Sequence, residues 1–113
     1  MSTNELQVME IISAAGASKA KAFEAISCAR RRDYAAAHAA LEEAKAIDLK
    51  AHEAQTQLIT AALTGGDEGA SLLTVHAQDH YMCAQLARDM ASELVAILED
   101  RDAACAAPDT ASA

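Results

Sequence analysis

A chain of 113 residues is long enough for one ordinary domain and too short for two. It is 52% hydrophobic but only 3% aromatic, and its net charge of −8 argues against nucleic acid or an anionic membrane surface as a partner. No apolar run approaches the ~20 residues needed to span a bilayer, so no membrane insertion is expected.

About thirty alanines, with few glycines and one proline, make this an all-α composition, because Ala is the best helix former. Small side chains let helices approach closely, yet each buries little apolar area. A lone three-helix unit of this kind is marginally stable, and self-association is expected. The first residues, Met-Ser-Thr-Asn-Glu, lack the basic and apolar parts of a signal peptide. The three cysteines show no CxxC spacing and read as free thiols in a reducing cytoplasm.

The spacing predicts a first helix from about Asn4 to about Arg32, with Ser2 and Glu5 at capping-box separation. Its apolar positions include Leu6, Met9, Ile12, Ala15, Phe23 and Ile26. Gly16 inside it is either a tolerated defect or a point of close helix contact. Arg30, Arg31 and Arg32 close the helix, where positive charge suits the C-terminal dipole; the alternative is a patch for an acidic partner.

Asp33 can cap a second helix running to about Thr64. Tyr34, Ala37, Leu41, Ala44, Ile47, Ala51, Ala54, Leu58 and Ala61 recur along it at spacings of three and four. Such a helix is about 45 Å long. Gly65-Gly66-Asp67-Glu68-Gly69 reads as a loop, after which Ser71 can cap a third helix to about Asp100. Residues 1–102 therefore form one up-down-up antiparallel bundle, and residues 103–113, with Pro108 and small or polar neighbours, form a disordered tail.

The apolar stripe of the third helix runs Leu72, Val75, Cys83, Leu86, Met90, Leu94 and Ile97, and Asp79 lies on it. A lone carboxylate buried there needs compensation. An Arg or Lys from another helix could pair with it, or the stripe could be open to water. Alternatively, several copies of the helix could meet on a symmetry axis around a hard divalent cation. On spacing alone the first two are the commoner solutions.

His76 and His80 stand at i and i+4 and share one helix face. Such a pair can chelate a transition metal, although metzincin chemistry is excluded because Ala77 stands where its glutamate would. A neutral imidazole can equally serve as a phosphoryl acceptor, and His76 is the best placed for it. There is no GxxxxGK[ST] loop and no kinase motif, so any phosphoryl donor is another protein.

Two blocks now carry a resemblance: Ala51-His52-Glu53-Ala54-Gln55-Thr56-Gln57-Leu58-Ile59 and Val75-His76-Ala77-Gln78-Asp79-His80. Together with Arg32-Asp33-Tyr34 they make residues 5–99 resemble the lactose/cellobiose-type enzyme IIA components of the bacterial sugar phosphotransferase system. The resemblance implies a cytoplasmic three-helix subunit that trimerises into a nine-helix bundle. It implies that His76 accepts a phosphoryl group from HPr and passes it to a cysteine of the cognate IIB protein, which serves the IIC permease. It further implies that Asp79 meets its symmetry mates on the trimer axis around a divalent metal, generally Mg2+. That reverses the ranking from spacing alone. His80 matches the motif without an assigned role.

Tyr81 stands where the family pattern has Leu, and Cys83 where Thr is usual. Gln78 reads as an ordinary surface glutamine, while Gln55 and His52 either line the pocket or serve elsewhere. His38 reads as a surface residue, and Cys28 and Cys105 as inert. The rival readings are a helical assembly or regulatory module without phosphotransfer, and a transition-metal protein built on His76 and His80.

Overall fold

The computed structural model describes residues 3–64 and 72–106. They form three helices, α1 (Thr3–Arg30), α2 (Tyr34–Leu63) and α3 (Leu72–Ala106), with no strand among the described residues. The expected all-α, up-down-up bundle is what forms. The capping role of Ser2, the cap at Ser71 and the loop of residues 65–69 lie outside the described residues. Helix α3 continues past Asp100 to Ala106, so residues 103–106 of the expected tail are helical. The alanines there extend the helix without needing a core to bury against.

The corner between α1 and α2 is closed by backbone geometry. Asp33 N–H donates to Cys28 O at 2.9 Å and Arg32 N–H to Ala29 O at 2.9 Å. This is the Schellman pattern, and it places Arg32 in the left-handed region at φ 65°. Asp33 then caps α2, its carboxylate accepting from Ala36 N–H at 3.1 Å. Arg32 also reaches Asp102 of α3 at 3.4 Å, and Arg31 donates to Cys28 Sγ at 3.5 Å. Arg31 and Arg32 thus make contacts at the corner, and Arg30 stands in the last turn of α1. Nearby, His38 pairs with Glu99 at 2.7 Å, and the Tyr34 hydroxyl donates to Leu98 O and to Asp102. His38 is therefore more than a bystander on the surface.

The core is built from small residues. One cluster joins Val8, Ile11, Ala14, Ala51, Ala54, Leu58, Ala77 and Tyr81; a second, towards the α1–α2 corner, joins Ala25, Cys28, Ala29, Ala37, Ala40 and Val95. Between them the interior is partly polar: the Ser18 hydroxyl donates to Ala44 O at 2.9 Å. Gly16 is exposed and no atom lies within 4 Å of where its Cβ would be, so close helix contact does not explain it.

The α2 stripe is placed as expected, with Ala37, Ala44, Ala51, Ala54 and Leu58 buried. The other two helices are turned from the expected face. In α1 the buried positions are Val8, Ile11, Ala14, Ala15, Ser18, Ala22, Ala25, Cys28 and Ala29; of the expected face Ala15 is buried and Ile12 packs on the core, while Leu6, Met9 and Phe23 are exposed. In α3 the core side holds Thr74, Ala77, Tyr81, Ala84, Ala91 and Val95, and every apolar residue of the expected stripe is exposed. Close packing explains both corrections. Helices that meet through alanines come nearer than Leu, Met or Phe would allow, so the bulkier residues turn outwards.

Helix α1 contacts both other helices extensively, while α2 and α3 meet over much less surface. Besides the Tyr34 and His38 contacts near the corner, three polar rungs cross that thin seam farther along. Gln55 Nε2 donates to Gln78 Oε1 at 2.6 Å, His52 Nδ1 lies 3.1 Å from the Tyr81 hydroxyl, and Asp48 Oδ2 lies 3.4 Å from Arg88 Nη2. The last pair is the deepest: the Asp48 side chain is 8% exposed, and Asp48 Oδ1 and Arg88 Nε are buried without a partner. Removing one member leaves an uncompensated charge, whereas replacing both restores an apolar contact. Asp48→Ala is expected to lower stability by about 3 kcal/mol, the low end for a buried pair because Arg88 keeps some solvent contact. The double change Asp48→Leu with Arg88→Met should recover most of the loss in urea unfolding.

Candidate functional site

Helix periodicity brings His76 and His80 onto one exposed face of α3, one turn apart. Their Nε2 atoms are 3.0 Å apart, and the rings meet edge to face with centroids at 4.5 Å. One proton fits between those nitrogens, so in the neutral pair one ring donates and the other accepts. His76 also borders a shallow apolar hollow with Leu72 and Leu73. An exposed imidazole beside an apolar surface suits reaction with a protein partner better than with a buried small molecule.

Asp79 is exposed at the middle of the outward stripe formed by Leu72, Val75, Leu86, Met90 and Ile97. No ion pair among the described residues reaches it. The intramolecular Arg or Lys partner considered for Asp79 is thus absent among the described residues, and within one chain the carboxylate meets water. A cleft with Leu58, Ile59 and Ala62 of α2 also takes in Asp79, separate from the hollow at His76. The described residues of one chain contain no cluster of three metal-ligating side chains. A cation at Asp79 would therefore need carboxylates from further copies.

Gln78 is not the plain surface residue it resembled, because Gln55 holds it across the α2–α3 seam. His52 points to Tyr81 and not to His76. Burial raises the pKa of Tyr81, and the nearby Asp48 carboxylate adds to the effect. The phenol therefore keeps its proton, and whether it donates to His52 Nδ1 or accepts from it follows the imidazole tautomer. Both rungs flank His80 in sequence and fix the turn of α3 that presents the histidine pair. The buried Asp48–Arg88 pair was missed from sequence. Its signal was there, since Asp48 stands four residues after Ala44 and three before Ala51, on the α2 stripe. No described helix is long and apolar enough to cross a membrane.

Comparison with known proteins bears on this geometry. The profile of the family described as "PTS system, Lactose/Cellobiose specific IIA subunit" matches residues 6–99. The cellobiose-specific EIIA component of Lactococcus lactis subsp. lactis is 42% identical over 88 residues, covering 78% of this chain and 76% of that protein. The crystal structure of the cellobiose-specific enzyme IIA from Bacillus anthracis superposes with a TM-score of 0.86 at 32% identity, covering 91% of this chain and 94% of that one. An Escherichia coli IIA(Chitobiose) chain, solved in solution as a complex with HPr, gives a TM-score of 0.77 at 34% identity, covering 90% and 99% of the two chains. With the family profile matching residues 6–99 and the fold shared, this chain belongs to the lactose/cellobiose-specific IIA family of the phosphotransferase system.

Proposed function

We propose that the chain is a cytoplasmic phosphocarrier that accepts a phosphoryl group from HPr on His76 and hands it to a cysteine of a IIB protein, serving a IIC sugar permease. The observation that carries this is the exposed His76–His80 pair with its Nε2 contact at 3.0 Å, set beside an apolar hollow in a chain of the IIA family. The HPr complex of the E. coli relative supports HPr as donor.

The acceptor atom is His76 Nε2. It lies at the outer end of the side chain, whereas Nδ1 is nearer the helix backbone and less open to a protein-bound donor. With His80 donating its Nε2 proton, His76 keeps its own proton on Nδ1 and offers the Nε2 lone pair. That lone pair attacks phosphorus, a P–N bond forms, and the bond from phosphorus to the donor breaks with the electron pair leaving on the donor. The His80 N–H then turns to a phosphoryl oxygen and offsets charge on the transferring group. His80 is thus a positioning and charge-compensating residue in this reading.

The outward stripe of α3 supports assembly. Leu86 is 60% exposed and Met90 56% exposed, a continuous apolar surface that a lone bundle leaves in water. Three copies meeting along α3 would bury it, form a nine-helix bundle and bring three Asp79 carboxylates together. Oxygen donors of that kind suit a hard cation such as Mg2+, whose role would be to offset their repulsion. The alternation of single Asp79 with apolar neighbours fits this arrangement, and the phosphoryl step does not depend on it.

Incubation with phospho-HPr followed by intact-mass measurement tests the relay. Wild-type chain should gain one acid-labile phosphoryl group, and His76→Ala none. His80→Ala should still be phosphorylated, about tenfold more slowly, the effect of a lost hydrogen bond of about 1.4 kcal/mol in the transition state. Equal, normal uptake by both variants would rule out His76. Asp79→Leu should give trimers in sedimentation that persist in chelator, whereas wild-type trimers weaken; identical chelator response in both would rule out the axial metal.

A further inference from the structure

We propose that His76 and His80 also form a chelating site for a borderline transition-metal ion of the Zn2+ class, and that such an ion and the phosphoryl group exclude one another at His76 Nε2. The exclusion rests on the acceptor reading above, while the chelate stands on geometry alone. Zn–N bonds of about 2.0–2.1 Å at tetrahedral angles put two ligand nitrogens about 3.3 Å apart. The two Nε2 atoms already lie 3.0 Å apart, both on an exposed face of a continuous helix. Binding needs the proton between the rings replaced by the metal, with the donor ring's proton moving to its Nδ1, and no change of helix geometry.

The other histidines do not offer this arrangement. His38 is engaged by Glu99 at 2.7 Å, and His52 by Tyr81 at 3.1 Å. Only the α3 pair brings two imidazole nitrogens together among the described residues. With no third ligand among the described residues, water fills the remaining positions, so the site is open and its occupancy reversible. The preference is for zinc-like ions over Mg2+, because neutral imidazole is a borderline-soft donor and Mg2+ demands oxygen. This separates it chemically from the carboxylates of Asp79. A bound ion takes the lone pair that attacks phosphorus and the N–H that compensates the phosphoryl oxygens, so it silences the relay.

Exposed Cys83 and Cys105 would bind zinc independently, so the test uses Cys83→Ser, Cys105→Ser chain. Calorimetric titration with ZnCl2 should give one ion per chain. His76→Ala and His80→Ala should each weaken it by more than about tenfold, since even second-sphere partners of a metal are worth that much. Asp79→Leu should leave it in place, and circular dichroism confirms that each variant is folded. Zinc affinity indifferent to both histidines, or lost in folded Asp79→Leu, would overturn the chelate. In the second arm, zinc should slow phosphorylation of the His76–His80 chain by phospho-HPr, reversibly with chelator, and leave the slower His80→Ala chain unaffected. Equal slowing of both chains, or of neither, would overturn the exclusion. Zinc binding that needs both histidines, in a chain that takes no phosphate under any condition, would sustain the chelate and remove the acceptor reading.

Discussion

Packing through alanine is the constraint on which the rest of this structure depends. Ala22, Ala25, Ala37, Ala44, Ala51, Ala77 and Ala91 are wholly or almost wholly buried, and they let three long helices run close together. Close approach then leaves no room inside for Leu86, Met90 or Phe23. A core of methyl groups supplies little apolar burial per residue, so the bundle gains less from folding than its length suggests. The apolar surface missing from the interior lies outside, concentrated along α3. Interior and exterior are two results of one choice of side-chain size.

The same economy explains the polar rungs. Helix α1 lies against both partners, whereas α2 and α3 touch over a narrow seam with few large side chains to lock them. Gln55–Gln78, His52–Tyr81 and Asp48–Arg88 give that seam direction and register, which methyl contacts alone do not. Two of the three end in or next to the HAQDH block, on Gln78 between its histidines and on Tyr81 beside His80. The proposed phosphoryl acceptor has to be held in place but open to partners; the seam offers the first and the outward face the second. Tyr81 shows how a departure from the family pattern is absorbed: its ring stays in the core and its hydroxyl finds His52.

Helix number, order and the α1–α2 corner were legible because capping and turn chemistry are local: Asp33 does what its type and place predict. The motif histidines were legible for the same reason, since i and i+4 on a helix meet whatever else the chain does. The facing of α1 and α3 was not. Periodicity identifies a stripe of large apolar residues, but it does not say whether that stripe meets the chain's own helices or another chain. In α3 the true core positions, Ala77, Ala84 and Ala91, are spaced by seven and were outweighed in size by Leu86 and Met90. Asp48 on α2 and Asp79 on α3 look alike in sequence. Both carboxylates interrupt apolar patterns, and only three-dimensional contact separates the one with an arginine from the one facing outwards.

That separation has a chemical consequence. A carboxylate paired inside a bundle is spent on structure, while one left on an exposed stripe remains available to a cation or a partner. Imidazoles divide in the same way. His52 and His38 are held by Tyr81 and Glu99, whereas His76 and His80 are held only by each other. A nitrogen lone pair satisfied by nothing stronger than a neighbouring imidazole is the group an electrophile can take without dismantling the fold. Phosphorus and a borderline metal ion are both such electrophiles, and under the two proposals they compete for the same atom. The reactivity of the site therefore follows from which polar groups the alanine bundle needed for itself and which it left over.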